Sequence, residues 1–549
     1  DVGLVGPSIA SVHPRATHKD AKQVFDALGG IVSPGLIDMH MHIESSMITP
    51  AAYVAEVLPR GVTTLVWDPH EFGNTCGTLG VEYAVQAAKD SSIRVLTLAP
   101  SCVPSAPGYE TTGGDFTAEV VNSLLANPDI HGVAEVMSMQ AVLDRNERIS
   151  SIVQAGLEAG KRVCGHARGL TGGELNAYVV SGVETDHELI SGADLVEKLQ
   201  AGLTIELRGS HDHLLPQFVE EITKIGHLPQ SLTLCTDDVF IDDLVEVGGL
   251  NDVVRRLIKH GLNPMWALQA ATFNGANRLG RTDLGLIAPG KRADIAVFDD
   301  LEEVEATLVF VNGMCVAKDG DLFTFPTTTD IPSNMYQTMS INPLQPVDFK
   351  VPVTGTQVNI STIENPRFTQ WGNRLVDVVD GFVKCPPDMI MMSIINRFGK
   401  NEPPRIAYLG NWGRWCGAFA TTVSHDAHNL TVFGSNEEDM ALAANAVIEA
   451  SGGLAVVSDG QVRAVLALPV AGLISLEPAD QLAKQFCEIR LAMDEIVEWK
   501  PPYLVFKACF GASLVCNTGP HLSDMGIVDT ENDVTLKDPT VTSNLAQIS

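Results

Sequence analysis

An α/β protein organised around a (β/α)8 barrel is the fold class this sequence predicts, and three observations predict it. Between residues 31 and 240, short apolar runs alternate with helix-like stretches. Eight such runs occur, which is the strand number of that barrel. Each run ends in polar residues, where the barrel carries its reactive rim.

The first run closes as Leu36-Ile-Asp-Met-His40 and the second as Val62-Thr-Thr-Leu-Val-Trp-Asp68. Val95-Leu-Thr-Leu-Ala-Pro-Ser101, Gly132-Val-Ala-Glu135 and Arg162-Val-Cys-Gly-His166 follow. The last three are Gly182-Val-Glu-Thr-Asp-His187, Leu203-Thr-Ile-Glu-Leu-Arg208 and Leu232-Thr-Leu-Cys-Thr-Asp237. The helices between them carry ordinary start and stop signals. Pro50 opens one over 51–58, Gly160 closes one over 152–159, and Gly261 closes one over 250–260. Pro264 starts another that runs to Leu279.

After the barrel, 286–299 and 306–317 read as strands around an Asn312-Gly313 hairpin turn. With residues 1–30 they predict a small flanking β-sandwich, so the barrel spans 31–283 and the sandwich returns over 284–325. Residues 326–347 lie in a stretch rich in Pro, Thr, Ser and Asn and read as a linker. Residues 348–549 read as an additional C-terminal α/β domain. There a capping box, Ser435-Asn-Glu-Glu438, precedes a helix over 440–450 that Gly452-Gly453 closes. Asp459-Gly460 marks a further hairpin turn.

The chain has 549 residues, 45% of them hydrophobic and 19% charged, which is globular composition. Thirty-six basic against 67 acidic residues leave a net charge of −31. Such a surface repels phosphate backbones, which argues against a nucleic-acid partner. Ten cysteines without a CxxC pair do not make a disulfide framework and point to a reducing compartment. No apolar run reaches the roughly 18 residues of a membrane span, and no signal-peptide pattern is visible, so a cytoplasmic protein is expected.

Six residues at five of the polar strand ends carry chemistry. On a strand, residues two apart face one side, so His40 and His42 can address one point in space. Neutral imidazole is the commonest protein ligand for a transition metal. Glu135, His166, His187 and Asp237 recur at later strand ends. Taken singly, each is as well read as a satisfied core group. Together they suit Zn, Mn or Fe(II), and six donors exceed the need of one tetrahedral ion. Two divalent ions bridged by Glu135 and a hydroxide would use them all.

Pro34-Gly-Leu-Ile-Asp-Met-His-Met-His-Ile-Glu-Ser-Ser-Met47 closely resembles the bacterial adenine deaminases of the amidohydrolase superfamily. So do Asp68-Pro-His-Glu71, Pro100-Ser-Cys-Val-Pro104, Ala134-Glu-Val-Met137, Asp186-His-Glu188 and Thr236-Asp-Asp238. Leu284-Gly-Leu-Ile-Ala-Pro-Gly-Lys-Arg-Ala-Asp294 resembles the superfamily's return to its small β-domain, and Ser424-His-Asp-Ala-His-Asn429 extends the match into the C-terminal domain. The resemblance implies that His40 and His42 bind one ion and that His166 and His187 bind the other. It also implies that Glu135 bridges and Asp237 completes the first site, with Mn or Fe as the metals and Zn able to occupy the site. Arg168 stands where many members have Pro, and Phe398 where His is expected.

The implied reaction is hydrolytic deamination of adenine to hypoxanthine and ammonia, a metal-activated hydroxide attacking C6 of the purine. Asp237 is the first candidate to shuttle protons, and Glu71 the second. Asp68 and His70 read as a proton path or as residues orienting a ligand histidine. Glu44, Ser45 and Ser46 follow the HxH directly and are expected to touch substrate or its surroundings, as is Asp238. Arg208 is a candidate to hold a ring nitrogen or a carboxylate. His425, Asp426 and His428 concentrate donors in one C-terminal turn and are candidates for closing the site or binding an extra ion. A second HxH, His211-Asp-His213, lies past its strand end and reads as a solvated loop.

Adenine is thus the expected partner, with no membrane and a homo-oligomer, dimer or tetramer. One alternative is an N-acetylhexosamine-phosphate deacetylase, which needs a basic pocket that only Arg168 and Arg208 could supply. A dihydroorotase or hydantoinase would need a carboxylated Lys on strand four, and Gly132–Gln140 contains no Lys. The remaining alternative, a non-catalytic purine-binding relative, would not require six intact ligands.

Overall fold

The computed structural model describes residues 1–15, 20–210, 212–501 and 503–540. His211 lies outside the described residues. Two units emerge, one of residues 1–69, 83–100 and 118–330, the other of 70–82, 101–117 and 331–540 among the described residues.

In the first unit, eight parallel strands run Leu36–Met41, Val62–Trp67, Arg94–Ala99, Ile130–Val136, Arg162–Gly165, Thr185–Asp186, Thr204–Arg208 and Leu232–Cys235. The first five pair in sequence order as one curled parallel sheet, and the last three as another. Backbone bonds link the two sheets. Glu184 N–H donates to Val163 O at 3.0 Å, and Asp237 N–H donates to His40 O at 3.0 Å. Strand one is buried at all six positions, polar ones included. An apolar core of Ile37, Met39, Val66, Leu96, Leu98, Ala134 and Cys164 draws on the first five strands.

The helices follow local signals. Thr49 caps Pro50–Val57 by accepting from Ala52 N–H, and Ser191 caps Gly192–Gln200 in the same way from Asp194. The helix expected over 152–159 already begins at Glu147, because the Asn146 side chain caps it there. The helix predicted from Pro264 to Leu279 is present over Pro264–Arg278 but widens in its middle. An α-segment Pro264–Gln269 passes through a π-turn at Ala270–Asn274 into Gly275–Arg278. At Gly275 a Cβ would lie 3.1 Å from Met39 Sδ, so close approach to strand one governs this stretch.

Residues Val2–Val5 and Ser8–Val12 form a ribbon. A five-stranded antiparallel sheet contains Ile31–Pro34, Ile295–Phe298, Ala306–Val311, Met314–Lys318 and Asp321–Leu322. Ile9 packs with Ala293, Ile295, Val297, Leu308 and Phe310. Asn312 and Gly313 both take positive φ, as the hairpin requires. The strand expected over 286–299 shrinks to Ile295–Phe298, since a turn at Gly290, φ +83°, interrupts it.

The second unit centres on a nine-stranded sheet. Only Gln357–Glu364 and Arg405–Gly410 pair in parallel there. Helix Glu437–Glu449 packs its Met440, Ala443, Ala444 and Val447 into the core. The predicted N-cap is displaced by one residue, and the reciprocal half of the capping box does not form. Asn436, not Ser435, is the cap, accepting from Asp439 N–H at 2.8 Å, while Ser435 Oγ turns to Gly417 O. Asp459-Gly460 joins Gly453–Ser458 to Gln461–Ala467 as expected. Among the described residues no helix is long and apolar enough to cross a membrane.

Candidate metal centre and active site

His40, the penultimate residue of strand one, and His42, just past its end, bring their rings to 4.7 Å. Strand four supplies Glu135, while His166, His187 and Asp237 follow strands five, six and eight. All six are at most 5% exposed.

The two carboxylates lie among the four imidazoles. Glu135 Oε1 is 3.6 Å from His40 Nε2 and 3.4 Å from His42 Nε2. Its other oxygen is 2.8 Å from His166 Nδ1 and 3.4 Å from His187 Nε2. One carboxylate thus addresses both histidine pairs, one oxygen to each. Asp237 Oδ1 faces only the first pair, 3.7 Å from His40 and 3.4 Å from His42. Buried nitrogens of His40, His166 and His187 have no hydrogen-bond partner. Buried polar atoms are normally satisfied, so this donor set is suited to cations. His42 Nδ1 lies 2.9 Å from Asp68 O, and a proton shared there turns the Nε2 lone pair toward the two carboxylates.

Electrostatics agree. Burial alone would raise Glu135, but His187, His166 and His40 hold it well below the usual carboxylate range. Burial would raise Asp237 too, and Arg208, His42 and His187 outweigh it. Burial would lower His187, yet Glu135, Asp237 and Glu188 push it up to about 9. A field that draws a proton to an imidazole also draws a divalent cation.

The supporting residues define the turn after strand eight. Thr236 donates through its amide and hydroxyl to the Asp38 carboxylate, at 3.0 and 2.6 Å. Burial pushes Asp38 up to about 7. Asp237 then adopts φ +57°, a left-handed conformation costing a non-glycine residue about 1 kcal/mol. Arg208 contacts Asp237 Oδ2 and, at 2.6 Å, Glu188 Oε1. Here Arg208 holds protein carboxylates. Arg168, the residue departing from the family pattern, lies 3.6 Å from the same Glu188. Glu44 accepts from Trp67 Nε1 at 2.9 Å, Ser45 donates to Asp238 at 2.5 Å, and Ser46 donates to Val239 O at 2.7 Å. These three tie the strand-one loop to strands two and eight.

Sequence reasoning missed Asp186 and Lys198. Asp186 Oδ1 accepts from Ala167 and Glu188 amides at 2.6 and 3.1 Å, which adjoin His166 and His187. Buried Lys198 neutralises it at 2.9 Å and reaches Asp194 at 3.0 Å. An acid directly before His187 was a usable signal; a lysine in the next helix was not.

In the second unit, His70 and Glu71 open a short helix, His70–Cys76. Glu71 Oε1 is 3.3 Å from His425 Nδ1, and His70 Nε2 is 3.9 Å from Asp426 Oδ1. His428 is fully buried with Nδ1 3.2 Å from Thr422 O. The predicted C-terminal turn therefore meets the residues that follow strand two. Arg397, also missed, supports the turn from within, donating to His428 O at 3.0 Å, Ala471 O at 2.7 Å and Thr338 O at 2.8 Å. Phe398 beside it is held by a backbone bond to Asn396 Oδ1.

Strand-end histidines around a shared carboxylate define a metal-dependent hydrolase of the amidohydrolase class, and residues 31–318 match the amidohydrolase family. Residues 366–533 match the adenine deaminase C-terminal domain. A Rhizobium etli protein named adenine deaminase 2 is 56% identical, over 98% of this chain and 91% of its own length. Adenine deaminase 2 of Agrobacterium fabrum is 57% identical over the same shares, and adenine deaminase of Klebsiella pneumoniae is 47% identical over 96% and 88%. The chain belongs to the adenine deaminase family.

Proposed function

We propose that this chain hydrolyses adenine to hypoxanthine and ammonia, water replacing the amine at C6 of the purine. The carrying observation is that four buried imidazoles converge on Glu135, two of them also facing Asp237, in a member of this family. His40 and His42 would hold one divalent ion and His166 and His187 a second, with Glu135 shared and Asp237 completing the first. The donors suit Mn or Fe, and Zn also fits. When bound, such ions make water nucleophilic near neutral pH.

The chain's own groups manage the protons. Asp237, kept ionised by Arg208, takes the proton of the attacking water and passes it toward the departing amine. Glu71 is the second proton carrier. Arg208 and Glu188 fix the Asp237 carboxylate. Glu44, Ser45, Ser46, Asp68, His70 and Asp238 orient these groups or line the purine.

The interstrand bonds at His40 and Val163 support closure of the eight strands into a barrel over 31–283. The core around Ile9 supports a β-sandwich made from 1–30 and 284–325. A linker over 326–347 then leads to a C-terminal α/β domain over 348–549. The ten free cysteines support a reducing cytoplasm. Exposed Met314, Phe323 and Phe325 support a homo-oligomer.

Metal-free protein reloaded with Mn, Fe(II) or Zn, then given adenine, adenosine or other 6-substituted purines, tests the reading. Ammonia and hypoxanthine from adenine but not inosine from adenosine is the expected result. Comparable adenosine turnover, or no product with any metal, overturns it.

A further inference from the structure

The Glu71–His425–His428 cluster has a chemistry that proton transfer by Glu71 does not account for. Each side chain offers one ligand atom, and the three atoms lie within 4.8 Å of one another. The Glu71 to His425 separation, 3.3 Å, matches the edge of a tetrahedron with metal bonds near ~2.1 Å, which is ~3.4 Å.

His428 supplies the second observation. Its side chain is wholly buried and its Nε2 has no hydrogen-bond partner. Nδ1 lies 3.2 Å from Thr422 O. With the proton on Nδ1 and donated to that carbonyl, Nε2 presents a lone pair to the cluster. Metal-ligating histidines are typically oriented in this manner, the second nitrogen donating to a backbone carbonyl. The opposite tautomer would let Nδ1 accept from the Ser424 amide at 3.2 Å, but it would bury an Nε2–H with no acceptor, which costs roughly 1–3 kcal/mol. Burial, with His425 and Arg397 nearby, keeps His428 neutral, as ligation demands.

The turn is built to hold this arrangement. Ser513 Oγ donates to His425 O at 2.8 Å and bonds Ser424 Oγ at 2.6 Å. Arg397 fixes the His428 carbonyl and, through its amide, Asn429 Oδ1. Three donors are thereby presented on a rigid frame, which favours binding without reorganisation.

We propose that Glu71, His425 and His428 bind one divalent transition-metal ion of the Zn(II) or Co(II) type, additional to any ion at Glu135. Two imidazoles and one carboxylate are a common set for such ions, with remaining positions open to water. A consequence rests on the reading of Glu71 as a proton carrier. Its carboxylate, once engaged by the ion, no longer transfers protons, so excess Zn(II) slows deamination.

The test counts metal rather than turnover. Full-length metal-free protein is equilibrated with Co(II), desalted and analysed for Co per chain, with the visible absorption of the bound ion recorded. Wild type is expected to hold one equivalent more than His428→Gln and one more than His425→Ala. Glu135→Gln, which disables the other centre, is expected to keep this equivalent and its spectrum. His425 is the less buried of the two histidines, so its variant decides the matter if the His428 variant does not fold. Equal stoichiometry in wild type and either folded histidine variant overturns the site. Loss of the equivalent in both variants without Zn(II) inhibition of the wild type keeps the site and overturns the role given to Glu71.

Discussion

Both units bury histidines and acids, yet the carboxyl groups inside the first unit's histidine cluster and a carboxyl group of the second that faces no cation are treated in opposite ways. In the first unit Glu135 and Asp237 face imidazoles and a guanidinium and are held well below their ordinary range. In the second, Glu110 accepts from the Ser105 hydroxyl at 2.7 Å and from the Ala106 amide at 3.0 Å. Burial prevails there and pushes it up to about 7. Burial alone thus makes a neutral acid, and burial among cations makes an anion. The first arrangement suits metal binding and base catalysis; the second suits scaffolding.

The largest test of this contrast is Glu135→Gln. An amide cannot bring a charged oxygen to both histidine pairs, so metal content and adenine turnover should collapse together. Full occupancy by elemental analysis would show that Glu135 is no bridge.

Next comes Glu71→Gln. It should keep the ions at Glu135 and slow turnover by about 10²-fold or more, as for a general acid or base. Loss of those ions would instead make Glu71 structural.

Lys198→Met probes how the first cluster is held. Uncompensated Asp186 would loosen the turns bearing His166 and His187, weakening metal affinity by roughly 10–100-fold. Unchanged affinity in a competition titration against a chelator would contradict that anchoring role.

Glu110→Gln bears on stability alone and sharpens the second half of the comparison. A carboxyl raised from 4.5 to about 7 binds its proton more tightly folded than unfolded. Its destabilising contribution therefore grows as pH rises from about 4.5 to 7, then stays constant. The Gln variant should lack that loss and be more stable than wild type at pH 8, by about 3 kcal/mol. Parallel stability curves across pH 5–8 would assign the proton elsewhere.

Much of the site was legible because barrel chemistry sits at strand ends. Strand period and turn residues are local signals, and His40, Glu135, His166, His187 and Asp237 fell at their ends. Capping was read one residue early because Ser435 and Asn436 are both competent caps, and the choice depended on Gly417 O across the sheet. The widening within Pro264–Arg278 was illegible because contact with Met39 belongs to another strand.

By itself, then, the sequence determined the alternating architecture, the six convergent donors and, through its motifs, the family. Hydrophobic period and turn chemistry act over a few residues, so they can be read without a fold. Tertiary structure alone decided how the charges are compensated. It set Arg208 against Asp237 and Glu188, Lys198 beneath Asp186, and His425 against Glu71. These partners lie far apart in the chain, and electrostatic compensation depends on distance in space, which no local pattern encodes.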